Sequence, residues 1–166
     1  NTLKGEFGGG SFNMNGSIRN MPSGQLSGHV NSEATDLAIR DILFAFEDHH
    51  LSSFSSENTS GRFSWNINYY FEMDHSTLKI IPNQNLGSFE LLIEEARIHE
   101  NSVVSHILSF AGHEASEDVH IEKVSINAFL FKDEIILDDL ILNNSISNME
   151  LFGGYDLGDS LLALHI

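Results

Sequence analysis

Between Gly61 and Met73 apolar and polar residues trade places with strict regularity. Phe63, Trp65, Ile67, Tyr69, Phe71 and Met73 occupy every second position, and Arg62, Ser64, Asn66, Asn68 and Glu72 fill the gaps. Successive side chains of a strand point to opposite faces, so this spacing predicts a strand with one apolar face and one wet face. Tyr70 alone breaks the polar side. The same grammar recurs more densely from Val119 to Ile166. Val124, Ile126, Ala128 and Leu130 alternate, while Phe129 and Phe131 fall on the opposite face. Ile135–Leu137 and Leu140–Leu142 load both faces. Strands of this kind need cover on both sides, from a second layer, from helices or from a bound apolar ligand.

The N-terminal part is sparser. Phe7, Phe12, Met14, Ile18, Leu26 and Val30 are set in a Gly-, Ser- and Asn-rich background, with a turn signal at Asn20–Gly24. Residues 5–31 read as two antiparallel strands, with Gly8-Gly9-Gly10 as a bulge or a frayed start. Two segments switch to helical spacing. Ile39, Ile42, Leu43 and Phe46 keep a three- or four-residue rhythm within residues 36–48, with Asp36 or Asp41 available as N-cap. Val104, Ile107, Leu108 and Ala111 do so within residues 101–112, between an Asn101 or Ser102 cap and Gly112. Helices this short depend on packing against a sheet. Residues 48–60 read as an exposed loop, and Asn83–Gly87 and His113–Asp118 as turns. The fold expected is mainly β: a curved antiparallel sheet of roughly eight strands with two short helices packed on one face.

Length and composition narrow the functions available. A chain of 166 residues, 41% hydrophobic, suits one domain spanning residues 1–166 with its own core. No apolar run approaches the roughly 20 residues of a membrane-spanning helix, and no signal peptide is visible. The first residue is Asn1, so the chain reads as a processed form or as an excerpt of a longer protein. There is no cysteine, which removes disulfides and thiolate chemistry without selecting a compartment. Twenty-four acidic residues face eight basic ones, a formal net charge of −16. Nucleic-acid binding needs cationic surface to displace counterions, and docking on anionic headgroups needs a basic patch. Both are disfavoured.

The residues that attract a chemical reading do not assemble into one. Of nine histidines, His49 and His50 are adjacent and so diverge, and His106 and His113 stand seven apart, too far for joint ligation on one helix. No metal is expected. Glu94-Glu95 and Asp138-Asp139 are neighbours whose side chains point to opposite faces of a strand, where they would serve as solvated or edge charges. No Gly-x-Ser-x-Gly elbow occurs, and Gly8-Gly9-Gly10 lacks the Lys-Ser/Thr of a phosphate loop. The expectation is a non-enzymatic protein without cofactor.

A family resemblance covers most of the chain. Val119-His-Ile121-Glu-Lys-Val124-Ser-Ile126-Asn-Ala128-Phe129 leads through the acidic turn Lys132-Asp133-Glu134 into Ile135–Leu142. A polar stretch follows, then Met149-Glu-Leu151-Phe-Gly153-Gly154-Tyr155-Asp156-Leu157 and a last apolar strand, Leu161–Ile166. This order resembles the C-terminal region of AsmA-like envelope proteins, as do Gly16–Ile18 and Gly24–Val30 followed by Leu37-Ala-Ile39. The motifs are a diffuse pattern without invariant chemistry. One departure is that the family's acidic turn usually carries Gly, where this chain has Lys132-Asp133-Glu134.

The resemblance implies a protein on the periplasmic face of the inner membrane of a Gram-negative-type cell, anchored by an N-terminal helix that this chain does not contain. It implies a β-groove that carries phospholipid between the inner and outer membranes. Phe63, Trp65, Ile67, Tyr69, Phe71 and Met73 are the expected lining, with Val124, Ile126 and Leu130 behind them. The ligand expected is a phospholipid or another apolar molecule. A structural or outer-membrane assembly factor, binding envelope protein partners through exposed sheet edges, is the other class considered.

Overall fold

The computed structural model describes residues 1–45, 55–81, 83–99, 118–144, 148–156 and 161–165. Nine strands form one antiparallel sheet in which spatial order equals chain order. They are β1 (Thr2–Phe7), β2 (Gly10–Asn20), β3 (Gln25–Ala38), β4 (Thr59–Asp74), β5 (Leu86–His99), β6 (Asp118–Phe131), β7 (Glu134–Asn144), β8 (Asn148–Asp156) and β9 (Leu161–His165). A single helix among the described residues, α1 (Ile39–Ala45), follows β3 and packs against β3 and β4. The sheet is an open meander, because β1 and β9 do not meet.

The mainly β architecture agrees with the alternating pattern, with nine strands where roughly eight were expected. The helix expected over residues 36–48 is present in its middle part, but β3 runs on through Ala38, so Asp36 is a strand residue and not an N-cap. The second expected helix, residues 101–112, lies outside the described residues. The N-terminal part holds three strands, not two. Gly8-Gly9 is neither bulge nor frayed end but the two-residue turn that joins β1 to β2, with φ of 56° and 78°. Two successive positive φ angles suit the right-handed twist of a tight hairpin, and glycine adopts them without a Cβ penalty. Thr59–Ser60 and Leu86–Gly87 belong to strands, so the loop and turn expected there are shorter.

Among the described strands, extra residues interrupt the pairing, the shift at Asn127/Ala128 of β6 facing that on β7. Register shifts lie between Ala34 and Leu37, Ser60 and Arg62, Ile121 and Lys123, and across Leu137–Leu140. A bulge leaves one residue unpaired and sharpens the local bend and twist of its strand. Asp36 and Glu95 lie in two of these shifts with φ of 62° and 52°, where few non-glycine residues settle. Neighbouring side chains at Glu94-Glu95 therefore do not simply alternate faces as the expectation held. At the first shift Arg62 acts as a staple: its Nη1 donates to the carbonyls of Gly8 (3.2 Å) and Asp36 (3.0 Å), and its Nε lies 3.4 Å from the Asp36 carboxylate. The Asp36 amide donates to Ser64 Oγ at 2.9 Å.

The best-buried apolar side chains are Ala34 and Leu37 on β3, Ala96 and Ile98 on β5 and Val119 on β6, near the bulges of these strands. Among the described residues no side chain is completely sealed from solvent. Substantial contacts between described elements join only sheet neighbours, or α1 to β3 and β4. Among these elements one layer of sheet is present, without a second sheet stacked on it.

Candidate functional site

Strand register gathers the apolar positions on one face. One row across the sheet reads Leu3, Met14, Ser32, Ile67, Phe89, Ala128, Leu137 and Gly153, each paired with the next. The row beside it reads Phe12, Ala34, Trp65, Leu91, Ile126, Leu140 and Leu151. On the other flank, Val30, Tyr69, Gly87, Leu130, Ile135 and Tyr155 follow one another. Held in register, the apolar positions of successive strands yield an apolar surface running over eight strands, although β5 to β7 also carry apolar residues on the other face.

All nine residues expected to line a groove fall on this face. Phe63, Trp65, Ile67, Tyr69, Phe71 and Met73 run along β4, while Val124, Ile126 and Leu130 lie on β6, with β5 between them. Each is half-buried. The two strands reach the same surface but do not touch directly, since Ile93, Leu91 and Gly87 of β5 separate Phe63 from Val124, Trp65 from Ile126 and Tyr69 from Leu130.

Aromatic side chains tile the face. Phe63 and Trp65 lie 5.4 Å apart at a tilt of 48°, and Tyr69 and Phe71 lie 5.3 Å apart. Their polar tips are satisfied within the face: Trp65 Nε1 donates to Ser32 Oγ at 2.9 Å, and the Tyr69 hydroxyl to Asn85 Oδ1 at 3.1 Å. Ser32 and Asn85 are both buried, so these hydroxyl and amide groups are built-in partners for otherwise apolar rings. Burial pushes the Tyr69 phenol above its ordinary pKa of 10.0 by disfavouring the charged form. Two glycines are covered by rings from the facing strand. Phe71 lies over Gly28, and Phe12 lies over Gly5 with ring carbons 2.7 and 2.8 Å from where a Cβ would stand.

The described concavities are shallow and open. One of about 680 Å³ combines Leu3, Met14, Ile18, Val30 and Phe71 with Asn1, Asn15, Ser17 and His29 at the β1 edge. Another, of about 390 Å³, lies over β3 to β6 mainly on the opposite face, among Glu33, Ser64, Asn66, Glu90, Lys123 and Asn127. Neither encloses the row from Phe63 to Met73, which is a surface and not a tunnel.

The opposite face is hydrophilic toward β1. Asn13, Glu33, Asn66, Glu90, Asn127 and Asp139 form one row, and Asn15, Asn31 and Asn68 the next. His29 stacks on Tyr70 with ring centroids 4.1 Å apart and planes 9° from parallel, and its Nε2 lies 2.7 Å from Asn68 Oδ1. The histidine pairs weighed for a metal, His49-His50 and His106 with His113, lie outside the described residues; of the described histidines, His99 Nδ1 lies 2.6 Å from Asp118 and His120 Nε2 3.2 Å from Glu95. Among the described residues no three His, Asp or Glu side chains converge on a point where a metal could sit. Lys132 adopts φ of 59° and turns β6 into β7 within two residues.

Ser32, Asn85 and the covered glycines escaped sequence reasoning. Their roles depend on cross-strand register, which a single strand's periodicity does not contain. No family model, curated protein or solved structure matches the chain, so its function is argued from this geometry.

Proposed function

We propose that this chain is a non-enzymatic lipid-binding domain of a cell envelope. In this reading it is an AsmA-like segment whose apolar β-face holds or conducts phospholipid between inner and outer membranes. The observation that carries the proposal is the continuous apolar face, half-exposed side chain after half-exposed side chain, with no second layer over it among the described residues. Apolar surface on this scale calls for a partner of like character. Acyl chains meet that need, since each CH₂ removed from water is worth about 0.8 kcal/mol. Because a lipid in a bilayer is already shielded from water, exchange between membrane and sheet is close to balanced, as a carrier requires.

The test is photo-crosslinking of phospholipid at Trp65 or Tyr69 in the full-length protein embedded in its membrane. Ile67→Glu places a charge on the apolar face and abolishes the crosslink, whereas Asn66→Glu, on the opposite face, leaves it intact. Equal crosslinking in both folded variants would falsify the assignment of this face. A reading as an assembly factor that binds protein through sheet edges draws on β1, whose outer side has no partner among the described strands.

A further inference from the structure

We infer that the face opposite the apolar one carries a docking site for a cationic amphipathic segment of another protein, centred on Phe129 and Phe131. Most of that face is amide and carboxylate; Leu92 and Ile141 also lie on it, and toward one end of β4–β7 five large, exposed side chains cluster. Tyr70 pairs with Leu86, Leu86 with Phe131, and Phe129 with Ile136, so the five form one contiguous patch. Their exposures are 49% for Tyr70 and Leu86, 50% for Phe131, 46% for Phe129 and 39% for Ile136. At those exposures the patch offers on the order of 400 Å² of apolar surface, the size at which such patches mark interaction sites.

Charge selects the occupant. Glu134 pairs with Phe131 on one flank, Glu90 and Asp139 lie in the neighbouring row, and Glu72 follows Tyr70 along β4. A greasy centre within an acidic rim complements a segment that presents apolar residues and Lys or Arg together. The chain shows this preference in miniature, since its own Lys132 ammonium sits 5.1 Å from the centre of the Phe131 ring. A second copy of this chain, at −16, is repelled, and so is an anionic bilayer. The site is independent of the lipid-facing surface because alternate residues of the same strands supply the two.

The experiment uses the whole chain and a fluorescent 18-residue Leu/Lys amphipathic peptide, with a Leu/Glu peptide of the same pattern as control, read by anisotropy at about 150 mM salt. The Leu/Lys peptide binds and the Leu/Glu peptide does not. Phe129→Ser with Phe131→Ser, which leaves the charge untouched, weakens binding at least about tenfold, as truncation of paired aromatic anchors does. Glu90→Gln with Glu134→Gln weakens it and flattens its salt dependence. Ile67→Glu, on the other face, leaves it within about twofold, which separates this site from the lipid proposal. Circular dichroism confirms that each variant is folded. Equal affinity for parent and Phe129/Phe131 variant means that bare charge holds the peptide, and overturns the site. So does self-association of the parent, or its binding to phosphatidylcholine vesicles, if the serine pair removes it.

Discussion

Replacing Gly28 with alanine tests whether aromatic rings seal the apolar face as the register implies. Gly28 lies within β3, directly opposite Phe71, and its φ is not positive, so an alanine backbone fits there. On backbone grounds alone the change should help: glycine inside a strand costs roughly 0.5–1 kcal/mol relative to alanine. The ring reverses the sign. A Cβ at residue 28 overlaps three carbons of the Phe71 ring, so the ring must leave its seat and its contact with Tyr69. Forcing an extra carbon into packed surroundings costs about 1–3 kcal/mol, which exceeds the backbone gain. For a domain of this size each kcal/mol lowers the melting temperature by about 2–4 °C. Thermal and urea unfolding of the parent, Gly28→Ala, Phe71→Ala and the double variant complete a cycle. Gly28→Ala is destabilising in the parent but neutral to stabilising once Phe71 is alanine. Additive effects, or a stabilised single variant, refute the idea that the ring is seated on Gly28.

Two further outcomes follow from the packing and the loops. Leu37, 3% exposed beside the β3 bulge, should lose about 2–5 kcal/mol on truncation to alanine, read as a shifted urea midpoint with unchanged slope. Asp74 closes the start of the β4–β5 connection by accepting hydrogen bonds from the Ser76 hydroxyl and from the amide and hydroxyl of Thr77, which hold its carboxyl down to about 2 from 3.8. Because the folded value is the lower one, the contribution is complete above 3.8 and fades as pH falls toward 2. A carboxyl NMR titration with its midpoint at or above 3.8 contradicts those bonds.

The β4 strand was legible because six apolar residues in strict alternation admit one reading; that Val124, Ile126 and Leu130 share its face follows from the register through β5 and not from alternation within one strand. The β1–β2 hairpin was missed although Leu3-Lys4-Gly5-Glu6-Phe7 alternates too, since glycine at the third position masked the period and the triple glycine suggested fraying. Asp36 and Glu95 were opaque for another reason. Each adopts a left-handed backbone conformation within a strand, which the apolar-polar pattern does not encode. Cross-strand partnerships such as Trp65 with Ser32 lie beyond periodicity altogether, because they join residues 33 positions apart.

The meander has a consequence for how the domain comes apart. Among the described strands, each is hydrogen-bonded in the sheet to its immediate predecessor and successor, with the Arg62 staple to the Gly8 turn and α1 as local additions. Among the described strands the first does not pair with the last, as it would in a barrel. Such a chain behaves like a stack of linked hairpins: it can zip from any turn outward and fray from either end while the middle persists. Stability is then a local property graded along the sheet, so a cut or an added hairpin at one end alters the reach of the surface without dismantling the rest.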